Sequence, residues 1–168
     1  MRSPTKTTGR LALWCLGITL LAPPDRAGAR INGIVNYSGK QEQTCNSHHT
    51  GGLAPVVRLE GPAVVATRQL ATFRFIVESP SPEQRSAGFN FAASAGDLVA
   101  GTGSKLELGE LTHTAPRAAN EAGQSVWVFS WRAPAERGTQ TLFGAGNSVD
   151  GFIDEAGDQA TTIRAGDS

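Results

Sequence analysis

The stretch SVWVFSWRAP, residues 125–134, alternates its side chains with a period of two. Trp127, Phe129 and Trp131 fall on one side of an extended chain, and Val126, Val128 and Ser130 on the other. Successive side chains of a strand point to opposite faces of a sheet, so the pattern predicts a strand that buries one aromatic face. Arg132 and Pro134 stop it, since proline has no N–H to give to a ladder.

The same texture extends in both directions. QLATFRFIVES (69–79) places Phe73, Phe75 and Val77 on one face and Thr72, Arg74 and Glu78 on the other. GFNFAAS (88–94) alternates around Phe89 and Phe91, and PVVRLEGPAVV (55–65) gives two short strands broken at Gly61-Pro62. GDLVAGTGSKLELGELTH (96–113) holds two more around a Gly-rich turn, while GTQTLFGAGNSVDG (138–151) and DQATTIRA (158–165) complete the series. Eight or nine short strands between Gly, Pro and Asn turns, with no sustained helical period, predict an all-β fold: a two-layer antiparallel β-sandwich with little helix. No cysteine pair is placed to pin two sheets, so the aromatic rings must join them, each worth about 1.5–3 kcal/mol when buried.

The first 29 residues read as a signal peptide. Arg2, Lys6 and Arg10 precede the apolar run LALWCLGITLLA, and Ala27-Gly28-Ala29 gives a small-x-small cleavage site. The expected location is therefore secreted, periplasmic or cell-surface. Residues 30–54 form a polar N-terminal loop, held out in solvent, and 55–168 the sandwich. Removing Arg2, Lys6, Arg10, Arg26 and Asp25 takes 15 basic and 15 acidic residues to 11 and 14, a net charge of about −3. No basic run survives to neutralise phosphates, which argues against nucleic acid. After cleavage no second apolar run reaches the length of a membrane span.

The order of elements resembles the choice-of-anchor V group of exported bacterial domains, and is similar to the Reeler domain of reelin. YSGKQEQTCNSHHTGG, FRFIVE, AGFNFAAS, ELTHTAP, WVFSWRAP and LFGAGNSVDG carry the likeness, from about Tyr37 to Gly151. The resemblance implies an immunoglobulin-like sandwich outside the cytoplasm and no defined activity. Members often carry a C-terminal sorting tail, absent here, and Cys-x-x-Cys-His in the N-terminal loop, where this chain has CNSHH.

That loop supplies the candidate site. Cys15 leaves with the leader, so Cys45 stands alone in an oxidising compartment, as a free thiol, a ligand, or one half of a disulfide-linked dimer. Cys45, His48 and His49, with His113 as a fourth ligand, offer a thiolate and imidazoles suited to copper or zinc. Haem c is disfavoured, because His48 replaces the sulfur beside the axial position of His49. The alternative is a drifted loop that binds nothing, with His113 a structural residue at a strand end. Asp150, Asp154, Glu155 and Asp158 lack EF-hand spacing and read as an acidic solvated turn. FGAGNS lacks the lysine of a phosphate loop, and no Ser-His-Asp order stands out. The sequence thus leads to a non-catalytic binding or surface-interaction module with a protein or surface-glycan partner and no cofactor. A metal- or haem-binding protein is the alternative.

Overall fold

The computed structural model describes residues 31–47, 49–150 and 156–166. The expected leader and cleavage site lie outside these, as do His48, Asp154 and Glu155. Among the described residues there is no α-helix, only one 3-10 turn at Cys45–Ser47. Eleven strands follow in chain order: β1 (Thr50–Gly51), β2 (Val56–Glu60), β3 (Leu70–Glu78), β4 (Ser86–Ala93), β5 (Asp97–Val99) and β6 (Ser104–Glu107), then β7 (Glu110–His113), β8 (Arg117–Ala118), β9 (Gln124–Arg132), β10 (Leu142–Val149) and β11 (Ala156–Ala165).

They build two sheets. The smaller has the order β2-β3-β9-β5 and the larger β1-β11-β10-β4-β7-β6, with β8 also pairing β4. All neighbours are antiparallel except β1, which runs parallel to β11. Seven of these strands reproduce the immunoglobulin arrangement, in which A-B-E-D packs on C-F-G. Here β2, β3, β9 and β5 stand as A, B, E and D, and β4, β10 and β11 as C, F and G. The β6–β7 hairpin is inserted between β5 and β9 and widens the larger sheet along the free edge of β4.

The count exceeds eight or nine because β1 and β8 are two-residue pairings with no sequence period, and because residues 96–113 yield three strands rather than two. Residues 62–66 form no strand: past Gly61, the β-branched Val64 is 88% exposed. A Cβ at Gly61 would sit 2.2 Å from the Phe73 ring, so that break is also a site of close approach.

The aromatic faces meet as expected. Phe73, Phe75, Trp127, Phe129 and Trp131 from the smaller sheet pack against Phe89 and Phe91 of β4 with Leu111 and Leu142. Ring centroids lie 4.6 Å apart for Phe91–Phe129 and 4.7 Å for Phe89–Trp127, both tilted rather than face-to-face, as the ring quadrupoles favour. The glycines of β10 make room for them. A Cβ at Gly144 would meet Phe75 at 2.5 Å, and one at Gly146 would meet Val77 at 2.4 Å.

On the exposed side of the smaller sheet, Arg58 bridges to Glu78 at 2.8 Å and Gln124 donates to the same carboxylate at 3.0 Å, linking β2, β3 and β9. The Arg58 hydrogen bond, then Gln124, then the Arg58 charge hold the Glu78 carboxyl below the usual range.

Candidate functional site

The larger sheet turns Phe89, Phe91 and Leu111 inward, so Asn90, Glu110 and Thr112 point outward. An outward face normally meets water, yet these three side chains are buried. Residues 31–47 and 49–52 run over this face, and those near 34–37 cover the three side chains. This segment is not the solvent-held loop the composition suggests; it is a strap that adds a third layer over the sheet.

Physical necessity explains the correction. Backbone N–H groups of a segment without regular pairing still need partners. Ile34 donates to Thr112 Oγ1 at 3.0 Å, Asn36 to Glu110 Oε2 at 2.8 Å and Tyr37 to Asn90 Oδ1 at 2.7 Å. Gly33, at φ +81°, passes so close to β7 that a Cβ would lie 2.4 Å from the His113 carbonyl oxygen. The strap then turns through a small hairpin, bridged at Ser38–Thr44, where Lys40 Nζ donates to the Ala93 carbonyl at 2.8 Å.

The candidate ligands sit at its far end. Cys45 opens the 3-10 turn and is buried with Tyr37 over Ala145 and Ala160. Burial pushes its thiol up to about 11, against a smaller opposing effect of a backbone hydrogen bond. Reactive cysteines have the reverse property, a lowered thiol in a polar setting. His49 belongs to the same turn, its N–H donating to the Cys45 carbonyl at 3.1 Å. Its Nδ1 lies 3.0 Å from Asp158 Oδ2, and that aspartate is 1% exposed. Asp158 also accepts the Asp150 N–H on Oδ1 at 3.2 Å, while its carbonyl accepts the Gly52 N–H at 3.2 Å. It therefore belongs to a buried junction of strap and β11, not to a solvated acidic turn. Sequence reasoning missed it because position 158 in DEAGD looks like any loop carboxylate; only its place on β11 reveals the partner.

His113 is elsewhere. It ends β7, separated from β11 by β4 and β10, three inter-strand steps or about 14 Å. Its Nδ1 accepts the Phe89 N–H at 3.0 Å, and Thr112 Oγ1 donates to the Phe89 carbonyl at 3.0 Å. These side chains take over where the β4–β7 ladder stops at Asn90–Thr112, the strand-end role read from LTHTAP. Cys45 and His49 are thus brought together, and His113 is not. Among the described residues, no three His, Cys, Asp or Glu side chains gather so as to hold a metal ion.

A second feature lies on the opposite side of the molecule. The exposed face of the smaller sheet carries a depression of about 430 Å³ beside residues 100–102, floored by Thr72, Val128 and Ser130. Arg117 fixes its rim, donating to the carbonyls of Thr102 (2.7 Å) and Val126 while its guanidinium lies 5.2 Å from the centre of the Trp127 ring.

No protein-family model matches the chain, and no curated protein matches it. Among solved structures it is similar to a DUF4466 family protein from Parabacteroides merdae ATCC 43184, with 9% identity over 70% of this chain and a TM-score of 0.36. The match spans 44% of that chain, and likeness at this level carries no argument about function.

Proposed function

We propose that the protein is an exported, non-catalytic binding module of the Reeler-like kind, with the open face of its smaller sheet as the binding surface. The observation that carries this reading is the depression over β3 and β9. Thr72, Thr102 and Ser130 bring hydroxyls to it and Val128 an apolar patch. Hydroxyls interleaved with aliphatic surface suit a polyhydroxylated ligand, so a surface glycan is the favoured partner class. Binding to envelope polysaccharides, measured with the mature chain and with Ser130→Tyr, tests the reading. Ser130→Tyr should weaken binding about tenfold by filling the depression, a loss of about 1.4 kcal/mol. Equal binding by both proteins, or none by either, overturns it.

One observation favours a second reading, a copper or zinc site on the strap. A buried carboxylate holding one imidazole nitrogen is the usual support of a histidine that ligates metal through the other, and Asp158 does this for His49. Cys45, His48 and His49 would hold the ion, which would have to displace the thiol proton. Elemental analysis near one equivalent, lost in Cys45→Ser and in His49→Ala, is the expected result. Metal content unchanged by both substitutions ends this reading. A Soret band would instead mark haem.

A further inference from the structure

Taking a glycan as the ligand of the smaller sheet, on which this rests, we infer that its sugars are acidic and that the Arg117 guanidinium holds their carboxylate.

Charge carries the first half. Arg117 is half-buried, and its partners are the carbonyls of Thr102 and Val126 and the face of the Trp127 ring. Carbonyl dipoles ease the loss of water but do not neutralise a cation. Among the described residues no carboxylate pairs with it. The carboxylates of the same face are placed elsewhere: Glu60 bridges to Arg74, Glu78 to Arg58, and Asp97 stands opposite Arg132 in the β5–β9 ladder. Among the described residues that line the depression, Arg117 alone is charged. A partly desolvated charge facing a cavity is complemented by an anion.

Geometry carries the second half. Of the five guanidinium N–H groups, two go to the carbonyls and three remain. A planar fork of N–H groups matches the two oxygens of a planar carboxylate. A tetrahedral sulfate asks for donors outside that plane, and the Gly101 N–H in the wall is already taken by Ser104 Oγ at 3.0 Å. The wall is also set in advance. Ser104 N–H donates back to the Gly101 carbonyl at 3.1 Å, and a Cβ on Gly103, at φ +78°, would collide with the Arg117 guanidinium. The turn is thus folded around the cation, which spares a ligand the cost of ordering it. With an acid group on Arg117, the ring hydroxyls of the sugar meet Thr72, Thr102 and Ser130.

Polygalacturonate and its fully methyl-esterified form share rings and hydroxyls and differ in charge. The purified protein should bind the acid form at least about tenfold more tightly, the worth of a charge-assisted hydrogen bond. Arg117→Gln should bring the two polymers to parity. If that variant does not fold, Thr102→Glu, which adds a carboxylate beside the guanidinium at an exposed turn position, should do the same. Equal binding of the two polymers by the parent chain, or a preference that survives in either folded variant, overturns the inference. So does dextran sulfate bound as tightly as polygalacturonate. Equal binding that Ser130→Tyr weakens removes the acid and leaves the glycan standing. Binding of neither polymer also removes the acid, and the envelope polysaccharides then decide the glycan separately.

Discussion

Asn46 and Ala160, 114 residues apart in the chain, are bonded to each other twice. The Asn46 Nδ2 donates to the Ala160 carbonyl at 2.9 Å, and its Oδ1 accepts the Ala160 N–H at 2.8 Å. A side-chain amide here does what a neighbouring strand would do, at an edge position beyond the two residues paired by β1. Asn46→Ala removes both bonds and leaves two backbone groups without them, a cost of about 1–3 kcal/mol. The expected readout is faster labelling of Cys45 by a thiol reagent, with the near-ultraviolet signal of Trp127 and Trp131 unchanged. Unchanged labelling would mean that the pair does not hold the strap down.

The Cys45 thiol makes stability depend on pH in a defined window. Its folded value of about 11 lies above that of an unfolded cysteine, so the folded chain holds the proton more tightly. The contribution is complete below about pH 9 and is lost as pH rises towards 11, amounting to about 2–3 kcal/mol. Denaturant titrations across this range should show the decline in the parent chain and not in Cys45→Ala.

Gly144 and Gly146 should resist substitution. A methyl group at either overlaps Phe75 or Val77 of the opposite sheet, and both sheets are anchored by their ladders. Gly146→Ala is expected to cost about 1–3 kcal/mol by overpacking. Phe129→Ala, on the facing strand, should cost about 3–5 kcal/mol by leaving a cavity between Phe73 and Phe91. Urea midpoints measure both, and an unchanged midpoint for Gly146→Ala would contradict the close approach.

His113→Gln separates structure from ligation. Replacing the ring that accepts the Phe89 N–H should lower stability by about 1 kcal/mol. Any metal held by Cys45 and His49 should be unaffected, since His113 lies three strands from the β11 seat of that turn. Metal loss in this variant would show that the histidine reaches Cys45 and His49 after all.

Strand identity was legible wherever one face is apolar. Trp127, Phe129 and Trp131, and Phe73, Phe75 and Val77, announce buried faces through period two, and the structure buries all six. The strap was not legible, for a physical reason. Its hold on the sheet comes from isolated polar residues, Asn46, His49, Asn90, Glu110, Thr112 and Asp158, whose partners lie 53–114 positions away and follow no period. Polar residues on an outward face look solvated until the segment covering them is known. Asp158 shows this most plainly, a carboxylate in an acidic run that ends up at 1% exposure. β1 and β8 escaped notice because two residues cannot display a period.

Chain order gives the strap one more property. It precedes the sandwich in sequence, but its seat is assembled from β4, β7, β10 and β11, the last of which ends at Ala165. Closing so long a loop is entropically unfavourable until the seat exists. In refolding, then, the final kinetic phase should be the disappearance of reactive thiol, after the tryptophans have already reached their native fluorescence.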